Sequence, residues 1–278
     1  MTVRLLVCSL EDIASVNIKD ALVEAGGWTE GAAYQGRPVL RRGDALMATI
    51  EGVHLYADDI DKGVEEATGE KIDEVVFLSR HRAASRQPSL TVHPIGNWAR
   101  ADYGGREETL VPPAPELMTS LLRELKAKAE GLPFEVVFEV THHGPYLGSP
   151  TLFIEIGSSE ETWGDLRAAD AIARSLLDAK VEDHPRAVGI GGGHYAPRYT
   201  EVALAKRISF GHMLPGYAMD LQDAEGLRDR IGMALEVSNA RLAYIHKKSM
   251  KRSEATMVAG LVRDLGAETV DSSDLEDL

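Results

Sequence analysis

Two adjacent histidines, His142 and His143, stand beside a Gly-Pro step and shortly before an apolar run that contains Glu155. A second glutamate, Glu139, precedes the pair in FEVTHH. Neutral imidazole and carboxylate together bind Zn²⁺, which lowers the pKa of a bound water to about 7 and supplies hydroxide at neutral pH. Burying a carboxylate in an apolar strand costs free energy unless it is paired or bound to a cation. The pattern therefore predicts a metal-assisted hydrolytic site; the alternative is that strand alternation turns these glutamates to solvent.

Other histidines occupy comparable positions along the chain. Each stands at or just after the end of a predicted β-strand: His81, His93, His194 and His212. The carboxyl ends of strands in an open α/β sheet line the ligand crevice, so these side chains are predicted to converge with the histidine pair. No spacing matches the helical HExxH zinc motif, and a hydrogen-bonded core or loop histidine is the alternative for each one. We expect the remaining three to be structural: His54, His184 and His246.

A glycine-rich segment, GIGGGHY at residues 189–195, follows a short predicted strand and precedes a predicted helix. In that context backbone N–H groups can approach an anion. The segment is neither a Walker A loop nor a GxGxxG fingerprint, and a tight turn beside close-packed strands explains the glycines equally well.

The 278 residues include 44% hydrophobic and 27% charged side chains, as in an ordinary soluble globule. The first apolar stretch is too short for a signal peptide or a membrane span, so we predict a cytoplasmic protein without membrane attachment and expect a monomer. The net charge is −14 and Arg outnumbers Lys, a balance suited to concentrated salt. The single cysteine, Cys8, excludes an intrachain disulfide and a thiolate metal cluster.

Basic clusters remain within this acidic background. They are long enough to hold a few phosphates, or they balance nearby acids on solvated faces. The candidates for phosphate contacts are Arg80, Arg82, Lys247 and Lys248.

Strand-like and helix-like segments alternate along the chain. The β-rich runs include RLLVCSL, VHLYADD, DEVVFLSRH, PSLTVHPIGNW, FEVVFEVTHH and TLFIEIGSS; PAPELMTSLLRELKAKAEG is the strongest helix. This alternation predicts an α/β fold with a mostly parallel sheet flanked by helices, in which the two strands around residues 134–157 form a hairpin. We expect one domain over residues 1–278, any subdivision near residues 110–115, and a frayed acidic tail at residues 268–278.

Five stretches, in order, resemble the archaeal and plant-type D-aminoacyl-tRNA deacylase family: NIKDAL, SRHRAASRQPSLTVHPIGNW, VTHHGPYLGSPTLFIEIGSSEETW, GIGGGHYAPRYTEVAL and GHMLPGYAM. They extend from about residue 17 to about residue 219. The resemblance implies a fold similar to phosphorylases and peptidyl-tRNA hydrolase, zinc as cofactor, and hydrolysis of the ester joining a D-amino acid to tRNA. With the arginine excess it also implies a salt-loving archaeal source. Tyr146 departs from the small residue expected after HHGP, so we expect a different rim to the site.

This resemblance assigns roles to the candidate residues. His142 and His143 are expected to act as metal ligand and general base, in either order, while Glu155 orients one of them or binds the metal. The expected zinc ligands are His142, His143, His194, His212 and Glu155, with His81 and His93 as secondary candidates. Phosphates of tRNA are expected to contact Arg80, Arg82, Lys247 and Lys248. Two alternatives stay open: a metal-dependent hydrolase of a small acyl substrate, and a non-catalytic module that binds a nucleoside or phosphate.

Overall fold

The computed structural model describes residues 2–278, which form two main β-sheets with flanking helices. The strands are β1 (Arg4–Ser9), β2 (Thr29–Tyr34), β3 (Arg37–Arg42), β4 (Ala45–Ile50), β5 (Glu74–Arg82), β6 (Ser89–Pro94), β7 (Gly96–Asn97), β8 (Thr109–Leu110), β9 (Glu135–Phe138), β10 (Thr151–Ser158), β11 (Arg186–Ile190), β12 (Ser209–Leu214), β13 (Leu242–Ile245) and β14 (Glu268–Val270). The α-helices are α1 (Ile13–Glu24), α2 (Ile60–Thr68), α3 (Pro115–Lys128), α4 (Glu160–Trp163), α5 (Leu166–Asp178), α6 (Pro197–Ala205), α7 (Ala224–Val237) and α8 (Arg252–Asp264).

The larger sheet has eight strands in the order β2-β3-β4-β1-β5-β10-β6-β9. Its centre is parallel from β4 through β1 and β5 to β10, and β10 is antiparallel to β6. Helices cover the sheet with apolar faces at helical spacing, as in α1, where Ala14, Ile18 and Leu22 are buried. The predicted α/β class with a mostly parallel sheet is confirmed.

The predicted hairpin between β9 and β10 is wrong, because β6 lies between them. β6 is antiparallel to β10 and parallel to β9. Every residue of β6 is buried, so its backbone hydrogen bonds must be satisfied by a neighbour on each side. The sequence pattern showed that the strand is buried but not which strands flank it.

The segment from β2 to β4 is an antiparallel meander that the sequence pattern did not predict. Its edge strand β2, TEGAAY, is almost entirely exposed and has little of the β-branched, apolar character on which strand prediction depends. The predicted strand VHLYADD is instead a 3₁₀ turn at His54–Tyr56 followed by α2. His54 is buried in this turn, which therefore supplies a cavity wall rather than a strand.

The smaller sheet is parallel, in the order β12-β11-β13-β14. The tail predicted to fray is ordered: β14 pairs with β13, and Lys206 Nζ lies 2.6 Å from the Asp277 carboxylate. An edge strand and an ion pair hold this segment, which acidity alone did not reveal. Across residues 2–278, no helix has both the length and the apolar character needed to cross a membrane.

The two sheets share backbone contacts and a hydrophobic core. After β9 the chain runs along the smaller sheet, where the Val140 N–H donates to the His194 carbonyl at 3.0 Å and the Thr141 N–H donates to the Met213 carbonyl at 3.1 Å. One core cluster contains residues from both sheets, including Leu152 and Phe210. Residues 110–115 are largely buried rather than forming an exposed linker.

Candidate active site

Five histidines and two glutamates lie together where the two sheets meet, in a group called here the histidine–carboxylate cluster: His81, His93, His142, His143, His194, Glu139 and Glu155. Strand β5 supplies His81, β6 supplies His93, and β10 supplies Glu155; the others follow β9 and β11. The ring centroid of His142 lies 4.3 Å from that of His93, 4.4 Å from that of His143 and 4.6 Å from that of His194.

Both glutamates of the cluster are buried, so neither is turned to solvent. Glu139 Oε2 lies 2.9 Å from His194 Nε2 and 3.2 Å from His81 Nδ1. Glu155 Oε2 lies 3.4 Å from His93 Nε2 and 3.6 Å from His81 Nδ1. Burial alone would raise the pKa of each carboxyl, but hydrogen bonds and positive charge from these histidines hold both pKa values below the ordinary value. Both groups are therefore anionic.

The register of β10 explains why Glu155 reaches the cluster. Glu155 is paired with Ser79 of β5 on one side and Thr91 of β6 on the other, in the middle of the sheet. Two residues further along the same face, a Cβ on Gly157 would lie 2.8 Å from Ser89 Oγ and 3.0 Å from His81 Cβ. Glycine at this position leaves the space that the His81 side chain occupies.

Backbone carbonyls orient three of the imidazole rings. The Nδ1 atoms of His93, His142 and His143 lie 3.1, 2.8 and 2.6 Å from the carbonyl oxygens of Pro94, Val140 and Gly144. A carbonyl oxygen only accepts, so each Nδ1 carries a proton, and Nε2 keeps its lone pair whenever the ring is neutral. Histidines that ligate metals are held in this way by their other ring nitrogen.

The histidines of the cluster fall into two electrostatic classes. Burial alone would lower the pKa values of His81 and His93, but hydrogen bonds to Glu155 and the charges of both glutamates raise them. Burial lowers the pKa of His142 well below its ordinary value, and burial with the charge of His93 lowers the pKa of His143 to about 4. His142 and His143 are therefore neutral at pH 7, the form that ligates metals and accepts protons.

Several buried polar atoms of the cluster have close neighbours but no well-aligned hydrogen bond within the described residues. They are His81 Nε2, His93 Nε2, both Glu139 carboxylate oxygens and Glu155 Oε2. Within each of three sets of residues, the possible ligand atoms lie within 4.8 Å of one another. The sets are His93, His142 and His143; His81, Glu139 and His194; and His93, Glu139 and Glu155. Imidazole nitrogen and carboxylate oxygen suit zinc, so the residues present fit a bound metal ion.

The cluster lines an open cavity of about 460 Å³, a size typical of small-molecule sites. The cavity lining also includes groups that were not predicted from the sequence. Asp12 caps α1 with Oδ1, while its Oδ2 accepts the Arg80 N–H at 2.8 Å. His54 also lines the cavity, and burial lowers its pKa to about 4. The only indication in the sequence was that Asp12 stands at a helix start, which predicts a cap and not a cavity wall.

The backbone around the histidine pair is closely packed. His143 has a φ of 47°, in the left-handed region that non-glycine residues rarely adopt. A Cβ on the next residue, Gly144, would lie 2.2 Å from the Gly105 nitrogen and 2.3 Å from the Gly104 carbonyl carbon. Glycine at 144 therefore allows the loop from β7 to β8 to pack against the pair.

At Tyr146, the position where a different rim was expected, the Arg106 guanidinium lies 3.5 Å from the centroid of the tyrosine ring.

His212 does not join the cluster, contrary to its predicted place among the zinc ligands. Its Nε2 donates to the Val111 carbonyl at 3.0 Å, and its Nδ1 lies 3.1 Å from the Thr141 hydroxyl. The Thr141 hydroxyl oxygen accepts the Met213 N–H, so its own proton is available for His212 Nδ1. Both ring nitrogens are thus engaged by protein groups, and neither can ligate a metal.

The four basic candidates lie beside two separate cavities. Arg80 and Arg82 line the cavity of the cluster, and each guanidinium lies 5.0 Å from the centroid of the Trp163 ring. Lys247 and Lys248 line a second cavity at the smaller sheet. Two of the four have acidic partners, since Arg82 lies 3.3 Å from the Glu160 carboxylate and Lys247 lies 2.8 Å from that of Asp271.

The fold and the site define an α/β protein with a buried set of imidazole and carboxylate side chains beside an open cavity. The sequence model described as D-aminoacyl-tRNA deacylase matches residues 68–270. The chain belongs to the D-aminoacyl-tRNA deacylase family, which confirms the resemblance seen in the sequence.

Individual relatives agree over nearly the whole length. The D-aminoacyl-tRNA deacylase of Methanosarcina acetivorans is 37% identical over 98% of this chain and 93% of its own. The D-aminoacyl-tRNA deacylase of Pyrococcus furiosus is 38% identical over 93% of this chain and 96% of its own. The crystal structure of AF0625, described as a conserved protein of unknown function, superposes with a TM-score of 0.88 at 33% identity, covering 99% of this chain and 97% of that one.

Proposed function

We propose that this chain hydrolyses the ester bond between a D-amino acid and tRNA, releasing free amino acid and tRNA. Family membership supports the substrate class. The observation that carries the proposal is the histidine–carboxylate cluster, in which the neutral imidazoles of His142 and His143 and the anionic Glu155 line an open cavity. Ester hydrolysis needs a nucleophilic water, an acceptor for its proton and a partner for the oxyanion, and this set of groups can serve all three needs.

We assign zinc as the cofactor on the chemistry of the available ligands. His93, Glu155 and one of the pair His142 and His143 would hold the ion, because the His93 ligand atom lies within 4.8 Å of those of the pair in one set and of Glu155 in another, and neither His93 Nε2 nor Glu155 Oε2 has a well-aligned hydrogen bond. When bound, zinc supplies Lewis acidity that makes water nucleophilic near neutral pH and polarises a carbonyl oxygen.

A histidine of the cluster would accept the proton of the attacking water. Whichever of His142 and His143 does not ligate the metal accepts the proton of the attacking water at Nε2, since both are neutral and both line the cavity. The carbonyl bonded to Nδ1 fixes the ring and stabilises the imidazolium that forms. His194 positions Glu139 through their 2.9 Å contact, and the two carboxylates stabilise positive charge around them.

The protein would discriminate D- from L-amino acids by excluding the side chain of the L form. A cavity that fixes the α-amino group, the ester and the ribose leaves one direction for the side chain, so the L form meets a wall. Arg80 and Arg82 at this cavity, with Lys247 and Lys248 at the second, would hold tRNA phosphates. We place the reaction in a salt-rich cytoplasm, where ions screen the repulsion between tRNA and a protein of net charge −14.

Amino-acid release from D-Tyr-tRNA and L-Tyr-tRNA in high salt, with and without a zinc chelator, tests the proposal. We expect rapid, chelator-sensitive release from the D form alone.

Glu155→Gln should lower kcat/KM by about 100-fold or more, because it removes an anionic ligand. The control Glu135→Gln makes the same change at an exposed position that bonds Gln87 and should leave the rate unchanged. Release from neither substrate would refute the proposed function; D-specific release that ignores the chelator would refute the zinc assignment alone.

A further inference from the structure

A second cavity, of about 470 Å³, lies at the carboxyl edge of the smaller sheet. The N-terminal half of α6 contributes Arg198 and Glu201, the end of β13 and the residues after it contribute the stretch 244–248, and Asp271 completes the lining. The Arg198 guanidinium is held by the Tyr244 hydroxyl, with Nε 2.9 Å from that oxygen. None of these groups contacts the histidine–carboxylate cluster, so the cavity needs a separate explanation.

The topology of the smaller sheet places this cavity at a switch point. From β11 the chain moves to β12 on one side of β11 and then, through α7, to β13 on its other side. In open parallel sheets, ligands bind outside the carboxyl ends of the strands where the strand order reverses in this way. The glycine-rich loop follows β11 at this point, and its Gly192 N–H donates to Ser249 Oγ, just beyond β13, at 3.0 Å.

The side chains make this cavity electropositive within an acidic protein. Arg198 is paired with Glu201 at 2.8 Å and Lys247 with Asp271 at 2.8 Å, but Lys248 is exposed and, among residues 2–278, has no carboxylate within 4.0 Å. Burial lowers the pKa of His246, and the positive charges of Arg198 and Lys248 lower it further. The groups facing an incoming ligand therefore favour an anion.

The glycine-rich loop separates this cavity from the first. Gly192 packs against His246, which lines the second cavity; an added Cβ on Gly192 would lie 3.2 Å from His246 Nδ1. Two residues later His194 lines the first cavity. Two extended residues span at most about 7 Å, so the linings of the two cavities approach closely enough for one polyanionic strand to contact both.

We propose that the second cavity binds a backbone phosphate of the tRNA 3′ strand while the aminoacyl ester occupies the first cavity. This rests on the proposed function and adds to it a defined anion subsite centred on Lys248, with Arg198 and the loop after β13 around it. The paired Arg198 and Lys247 shape the site, and the unpaired Lys248 supplies its free charge. Such contacts set affinity and register rather than the chemical step.

Steady-state kinetics of Lys248→Ala and Lys248→Glu test this subsite on two substrates: D-Tyr-tRNA and 3′-O-(D-tyrosyl)adenosine, which has no phosphate. We expect Lys248→Ala to raise KM for the tRNA substrate about 5-fold, with kcat little changed. The slope of log KM against log salt concentration should fall by about 0.7, because one phosphate contact is lost. Lys248→Glu should raise KM further. Neither variant should alter turnover of the nucleoside ester. Lys126→Ala is the matched control, since Lys126 is also exposed, lies on α3, and has no carboxylate within 4.0 Å among the described residues.

Equal KM values for wild type and both Lys248 variants, with wild-type turnover intact, would overturn the subsite and leave the deacylase proposal standing. Loss of turnover on the nucleoside ester as well would also overturn it, because the residue would then act on the chemical step. Titration with ATP tests whether the second cavity binds a free nucleotide instead of tRNA. Binding of ATP that depends on Lys248, with an unchanged KM for tRNA in the Lys248 variants, would overturn the assignment to tRNA. Absence of wild-type activity on either substrate would refute the proposed function itself.

Discussion

At the scale of single residues, burial and neighbouring charges decide protonation within the histidine–carboxylate cluster. Against the effect of burial, contact with Glu155 and the charges of both glutamates raise the pKa values of His81 and His93, whereas burial and positive charge from neighbouring histidines lower the pKa values of His142 and His143. Such divergence between neighbouring titratable groups separates charged from neutral roles. The sequence could predict that these residues meet, since strand ends share an edge, but not which would be charged, because that depends on contacts of about 3 Å.

The pH dependence of stability gives a test at the same scale. Burial lowers the pKa of His212 to about 3, so this side chain stays neutral in the folded state but titrates near pH 6.5 when unfolded. Its contribution is complete above pH 6.5 and is lost as the pH falls toward 3; at pH 5 the loss is about 2 kcal/mol. His212→Gln cannot titrate and can keep both hydrogen bonds. Urea unfolding at pH 7 and pH 5 should therefore show a smaller acid-induced loss for the variant.

His184→Gln is the control for this measurement. His184 lies beside the exposed carboxylate of Glu182, at 3.1 Å, rather than in the core. The control should lose as much stability between pH 7 and pH 5 as the wild type. An identical acid-induced loss in wild type and His212→Gln would contradict the account of a neutral, buried His212.

At the scale of elements, close backbone approach fixes the histidine pair. The loop from β7 to β8 packs on Gly144 so closely that an added methyl group would meet backbone atoms at 2.2 and 2.3 Å. Gly144→Ala should therefore lower the free energy of unfolding by about 2 kcal/mol or more, because backbone cannot move aside as a side chain can. Since His143 is adjacent, kcat should fall together with stability. Denaturant unfolding and D-Tyr-tRNA turnover measure the two effects.

Gly260→Ala is the matched control for this substitution. Gly260 lies within α8 with no atom within 4 Å of an added Cβ, and alanine favours helix over glycine by about 1 kcal/mol. The control should be slightly stabilised and fully active. If the Gly144→Ala protein were as stable and active as the control, the loop from β7 to β8 could move away from Gly144 without loss of folding free energy, which would contradict this prediction.

Elements with strong local patterns were predictable from the sequence, and pairings between distant segments were not. Helix α3 followed from its proline start and its leucine spacing. The position of β6 between β9 and β10 depends on contacts between residues far apart in the chain. The exposed β2 lacked any apolar alternation to detect. The same limit applied to the site, where His212 had a favourable sequence position but faces Val111 and Thr141.

At the scale of the whole molecule, net charge governs the response to salt. A formal charge of −14 at pH 7 destabilises the compact state by self-repulsion, which ions screen. Raising KCl from 0.1 M to 2 M at pH 7 should therefore raise the Tm measured by scanning calorimetry. Near pH 5.1, the pI of the sequence, the same addition should change the Tm much less. Equal shifts at the two pH values would assign the effect to general salting-out rather than charge.

The junction between the sheets also constrains the order in which the protein matures. Residues 140 and 141 bond backbone groups of residues 194 and 213, so the segment carrying the histidine pair is held by a loop and a strand made later in synthesis. Pairings of such long sequence separation form slowly, because chain entropy is lost before contacts compensate. A nascent chain with β1 to β10 folded still lacks His194 and the carbonyl that anchors Val140. Catalytic competence should consequently appear as one of the last events of folding, after most secondary structure has formed.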